Sequence, residues 1–169
     1  MSWRNELDLT SREFTCGYCG NKVASVKGFV NENNGDYLVY SCPHCQKPTF
    51  FIRRVVGDTQ TPGPIPGNRV QNIPPDLESI YDEARKCVSV GAYTSAVLAC
   101  RKLLMNVAVN EGDVEGKTFI AYIEYLSSKG YVPPNGKGWV DHIRVKGNEA
   151  NHEIKLMTLG DAIELITFS

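Results

Sequence analysis

The sequence predicts an α+β chain in two pieces, a small antiparallel β unit followed by an all-α helical bundle. Three observations carry that prediction. Before residue 57 the apolar residues come in short β-branched and aromatic runs separated by turn chemistry. After residue 75 they recur at helical spacing. Between the two, "GDTQTPGPIPGNRVQNIPP" replaces both patterns with prolines and glycines, which fix φ, remove donors and favour an extended strap or linker. The boundaries that follow are 1–56 for the β domain, 57–75 for the linker and 76–169 for the helical domain.

In the first piece the strand candidates are "KVASVKGFV", "DYLVYSC" and "TFFIRRVV", with "NENNGD" as a turn between the first two. The first helix presents Leu77, Ile80, Tyr81, Ala84, Cys87 and Val88 on one face, with Pro75 suited to its first turn and Gly91 to its end. "AYTSAVLACRKLLMNVAVNEG" gives a second, with Val97, Cys100, Leu104, Val107 and Ala108 inward. Thr118 as N-cap and Gly130 at C′ frame a third. A fourth is expected from about Gly138 or Trp139, and Thr158 with Asp161 is spaced as a capping box for the last. Cys87 and Cys100 fall on apolar faces and are expected to be buried free thiols.

Charged residues make up 22% of the chain and apolar ones 42%, with no run long enough to span a bilayer and no start resembling a signal peptide. A soluble, cytoplasmic protein with no membrane partner is expected. The formal net charge of -1 gives no bulk attraction for nucleic acid, although the front is weakly basic and the back weakly acidic. No P-loop, Gly-x-Ser-x-Gly or His-Glu-x-x-His motif occurs, so those enzyme classes have no support.

The most specific motif is a pair of Cys-x-x-Cys turns, Cys16 and Cys19 in "CGYCGN" and Cys42 and Cys45 in "CPHCQK". Each pair can place two thiolates on one tight knuckle, and Gly17, Gly20 and Pro43 suit such turns. Joined by a hairpin, two knuckles complete a tetrahedron for one Zn²⁺, so the β unit reads as a zinc ribbon. Four protein ligands leave no open position, which makes the expected ion structural, and His44 is not needed as a ligand. Two disulfides in a secreted domain would be the competing reading, disfavoured by the missing leader pattern and the two extra cysteines. Arg53, Arg54, Lys22, Lys27, Tyr18, Tyr37, Tyr40, Phe50 and Phe51 either form a basic, aromatic face for nucleic acid or supply the small domain's own core and solvated edge.

The polar stretch "HIRVKGNEANHEI" holds two of the three histidines. On one helix Arg144, Asn148 and His152 stand at i, i+4 and i+8, a polar stripe about 12 Å long. Taken alone, the stripe reads more readily as a place where Gly147 and Asn148 admit a close neighbour and His152 caps or plugs a polar site in the core.

Taken together, "YDEARKC" at 81–87, "GAYTSAVLACRKLL" at 91–104 and "IRVKGNEANHEI" at 143–154 resemble domain of unknown function family 4145. Members of that family often carry an N-terminal zinc ribbon and occur fused to restriction enzymes. The family resembles part of the wider HEPN superfamily, which includes RNases, toxins and non-catalytic nucleic-acid or nucleotide binders. The resemblance implies a HEPN-like helical bundle that pairs as a homodimer. In active HEPN members an Arg followed by a polar residue lies four to six positions before a His, and two protomers combine these groups to cleave RNA without metal. Carried onto this chain, His152 matches the His and Asn148 the polar residue, but the Arg position is Gly147. Arg144 is displaced upstream, and Lys146 lacks the bidentate fork of a guanidinium.

The reading that follows is a binding or regulatory module with a degenerate catalytic motif. It would pair through the helical domain and associate with RNA, DNA or a protein partner of the defence or restriction type, with Arg53, Arg54 and Lys146 as the nucleic-acid contacts. The alternative is a metal-independent endoribonuclease, a toxin or phage-defence effector, using Arg144, Asn148 and His152. A helical-repeat adaptor is a third class, weakened by the presence of only one repeat-like unit.

Overall fold

A computed structural model describes residues 3–131 and 156–169. The chain is α+β and divides into two compact units, Met1–Ile65 and Pro66–Ser169.

The first unit is a meander of β1 (Leu7–Thr15), β2 (Lys22–Val30), β3 (Tyr37–Ser41), β4 (Pro48–Ile52) and β5 (Thr59–Thr61), each antiparallel to the next. In β3 and β4 the side chains alternate, apart from Ser41, which is buried next to Tyr40 at the end of β3. Leu38 opposite Phe51 and Tyr40 opposite Thr49 are buried, while Tyr37, Val39, Phe50 and Ile52 take the other face. Phe14, Leu38, Tyr40 and Phe51 form the core beside Cys16 and Cys42, with the three aromatic rings edge-on or tilted to one another. Arg12 covers this cluster, 4.5 Å from the Phe51 ring centroid, and is paired to Asp58 at 2.5 Å.

β1 is absent from the sequence reading. Its pairing register with β2 jumps between Asp8 and Arg12, so no single alternation runs through "LDLTSREFT", and Phe14 is its only buried residue. The expected linker, 57–75, also differs in detail. Its first residues supply β5, paired to Phe50–Ile52, because Asp58 is held by Arg12 and by the Arg54 amide. Its middle is tied to the second unit, where Arg85 donates to the carbonyls of Pro66 and Gly67.

The second unit contains α1 (Pro75–Ser89), α2 (Tyr93–Asn110), α3 (Phe119–Ser128) and α4 (Leu159–Phe168). Pro75 begins α1, where its missing N–H is not needed. Gly91 follows α1 at φ +82° and its N–H closes on the Val88 carbonyl. Thr118 caps α3 by accepting from Ala121, and Gly130 follows that helix at φ +80°. Thr158 and Asp161 form the reciprocal capping box of α4. The core joins Tyr81, Ala84 and Val88 of α1, Val97, Cys100, Leu104 and Ala108 of α2, Phe119, Tyr122 and Ile123 of α3, and Ala162, Leu165 and Ile166 of α4. Leu77, Ile80, Cys87 and Val107, expected inward, are only partly buried and pack against the rim of this core. The helix expected from Gly138 or Trp139 lies outside the described residues. No helix among the described residues is long and apolar enough to cross a membrane.

Candidate metal centre

The two knuckles are built alike. In the first, the Cys16 amide donates to the Asn21 carbonyl at 3.0 Å and the Gly20 amide to the Cys16 carbonyl at 2.9 Å. In the second, Cys42 donates to Lys47 at 3.0 Å and Gln46 to Cys42 at 2.8 Å. Both turns need a left-handed residue four positions after the first cysteine. Gly20 supplies it at φ 75° and Gln46 at φ 60°. Gln46 tolerates that conformation inside a small network, because its side chain donates to the Pro43 carbonyl and its own carbonyl accepts from the Trp3 indole at 2.7 Å. Gly17 has a different reason to be glycine. A Cβ there would stand 2.4 Å from the carbonyl oxygen of Gly63, so the chain leaving β5 crosses directly over the knuckle.

The hairpin of β2 and β3 sets the knuckles face to face, and the four Sγ atoms of Cys16, Cys19, Cys42 and Cys45 lie within 4.8 Å of one another. Cys16 to Cys45 is 3.7 Å and Cys19 to Cys42 is 3.8 Å. A regular tetrahedron of thiolates around Zn²⁺, with Zn–S of about 2.3 Å, has S···S edges of about 3.8 Å. The donor set therefore fits a zinc site in kind, number and spacing. These separations are far beyond a disulfide's S–S bond of about 2.05 Å, and all six cysteines are free.

The electrostatics of the cluster are those of thiols that cannot all ionise unaided. Burial pushes Cys16 up to about 12. Burial acts on Cys19 in the same sense, but the Asn21 amide and the neighbouring thiols hold it down to about 6. Burial also raises Cys45. Packing four such groups together favours a soft dication that compensates several thiolates at once. His44 is exposed and stands clear of the ligand set.

The aromatic and basic residues of the ribbon separate into two groups. Tyr40 and Phe51 are core. Tyr37 and Phe50 are 38% and 37% exposed, and their rings stack at 6.0 Å with an interplanar angle of 25°. On the same sheet face Phe29 pairs with Val39, and the Trp3 ring packs edge-on against it. Lys22 and Lys27 are paired with Glu13 and Asp8. Tyr18 lies under the Lys47 ammonium. Arg53 and Arg54 are exposed and make no ion pair among the described residues. They follow Ile52, the residue opposite Tyr37, and lead into Val55 and Val56, which are almost fully exposed.

Arg144, Lys146, Asn148 and His152 lie outside the described residues. One residue that the sequence reading passed over does stand out. Arg101, in the middle of α2, is 7% exposed and its guanidinium carbon is 4.4 Å from the Phe119 ring centroid. The helical spacing of α2 was the available signal, since Arg101 follows Val97 by one turn and precedes Leu104 and Ala108 on the same side.

A family model described as "Domain of unknown function (DUF4145)" matches residues 82–169, just over half of the chain. No curated protein and no solved structure matches.

Proposed function

The chain belongs to the DUF4145 family of domains of unknown function, and from that premise we propose that it is a non-catalytic binding module whose zinc ribbon takes single-stranded nucleic acid. In this reading Cys16, Cys19, Cys42 and Cys45 hold one Zn²⁺ with no open coordination position, so the ion fixes the sheet and activates no water. The observation that carries the proposal is the exposed Tyr37–Phe50 stack. A core this small normally consumes its aromatic residues, yet here two rings lie parallel on the outer face while others fill the interior. Flat rings offered to solvent are surfaces on which unpaired bases stack, a sequence-tolerant contact. Arg53 and Arg54, exposed beside the Tyr37 end of the strip and in no ion pair among the described residues, would meet the phosphates. Pairing of two copies through the helical unit, which the HEPN resemblance implies, belongs to the same reading and is checked by light scattering.

The test is binding of labelled single-stranded RNA and DNA, with duplex DNA as comparison, by the zinc-loaded protein in EDTA-free buffer. Tyr37→Ala and Phe50→Ala should each weaken single-strand binding by about 1–3 kcal/mol, roughly 5- to 150-fold. Replacing Arg53 and Arg54 together by Gln should flatten the salt dependence by roughly one to two units of slope. Equal affinity in the aromatic variants, with the ribbon folded, would refute the stacking surface. Loss of intact RNA during the assay would instead revive the endoribonuclease reading.

A further inference from the structure

Among the described residues of the helical unit, Arg101 and Asp113 are the buried charged side chains, and Arg101 is the one without an ion-pair partner. It is more than nine-tenths buried, and its Nη1 is shielded from water with no hydrogen-bond acceptor among the described residues. Among the described residues no carboxylate reaches it within salt-bridge distance. Burial alone acts on its proton affinity, lowering it, with no compensating anion. Buried guanidinium groups are ordinarily paired, and replacing one by an apolar side chain of similar volume is often neutral or stabilising.

The surroundings of the guanidinium favour negative charge. Its face is engaged by the Phe119 ring, which leaves the N–H groups in its plane as the donors still to be used. Phe119 is the first residue of α3, a ten-residue helix capped by Thr118, so the guanidinium packs on a side chain of the turn where that helix's dipole is positive. Asp113, the buried one of the acidic residues in the loop that leads into α3, accepts at its Oδ1 from the Lys117 ammonium and the Val114 amide instead. Its Oδ2 is also buried without a partner. The loop between α2 and α3 thus carries an acceptor, and α2 a donor, that the fold leaves unmatched.

We infer that Arg101, together with the N-terminus of α3, forms an oxyanion-binding site for the phosphate or carboxylate group of a small ligand, presented edge-on to the guanidinium stacked on Phe119. The depth of Arg101 favours a terminal group on a small molecule over a nucleic-acid backbone. This site is therefore separate from the ribbon face and does not depend on the reading given to it.

Titration calorimetry of the whole 169-residue, zinc-loaded chain with inorganic phosphate and, in a second arm, with acetate tests the inference, using chloride at matched ionic strength as the blank. Heat beyond the blank is expected from one or both anions, and the stronger arm identifies the class. Arg101→Met should abolish that heat while the protein melts in chloride no lower than wild type. Arg101→Lys, which keeps the charge without the fork, should weaken binding at least tenfold. Lys102→Met, an exposed neighbour on α2, should leave it unchanged. Should Arg101→Met fail to fold, the Lys variant decides. No heat beyond chloride in the wild type, or an undiminished response in Arg101→Lys, overturns the site.

Discussion

The ribbon closes its interior with Phe14, Leu38, Tyr40 and Phe51 beside Cys16 and Cys42, whereas the helical unit brings together apolar side chains from four helices and terminates them with caps. The first interior is small, and so short a chain removes a smaller share of its surface from water, so burial alone leaves its fold marginal. The second has the usual means, area and packing density. The difference teaches where each unit is vulnerable: one through the four cysteines placed to hold a single ion, the other through many side chains of comparable weight.

The largest expected effect removes the ligand set. Cys42→Ser, or stripping by a strong chelator, should withdraw on the order of 10 kcal/mol from the ribbon and unfold it, while the helical signal in far-ultraviolet circular dichroism persists. Amide exchange resolved by residue separates the two units, and simultaneous loss of protection in α1–α4 would break the comparison. Leu165→Ala, in the core of α4, should cost about 2–5 kcal/mol of helical stability and leave zinc affinity untouched. Denaturant melts followed at the helical signal, with a zinc titration alongside, check both halves of that statement. Thr158→Ala removes one half of the capping box and should cost about 1 kcal/mol, read from the same melts.

Smallest is the acid response of the loop between α2 and α3. The Lys117 ammonium, through its hydrogen bond, holds the Asp113 carboxyl below its ordinary value of 3.8. A depressed carboxyl stabilises the folded state above the unfolded pKa and loses that contribution as pH falls through the folded one. Helical stability should therefore decline between about pH 5 and about pH 2 more steeply in wild type than in Asp113→Asn. Parallel curves would assign the acid response to other groups.

How far the sequence revealed all this depends on how local each signal was. Cys16, Cys19, Cys42 and Cys45 were legible because spacing alone dictates two knuckles. Pro75, Gly91, Thr118, Thr158 and Asp161 were legible because capping is decided within a few residues. β1 was not, because a register jump erases period-two alternation, and β5 was hidden because three residues hold no pattern. The fate of the aromatic residues was open for a related reason. Tyr37 and Tyr40, like Phe50 and Phe51, are chemically alike, and only the pleat decides which faces water. Arg101 was missed because a charged residue beside Lys102 reads as a solvated face until the third dimension places Phe119 over it.

The hydrogen bond from the Trp3 indole to the Gln46 carbonyl joins a fluorophore to the backbone of the second knuckle. Indole emission shifts in colour with hydration and with the strength of the bond its N–H makes. The indole is 43% exposed in the folded ribbon, so what a knuckle that opens takes from it is that bond rather than shelter from water. In a Trp139→Phe background the protein's own glow is then an optical gauge of the knuckle, readable in a cuvette without a dye, a tag or a radioactive metal.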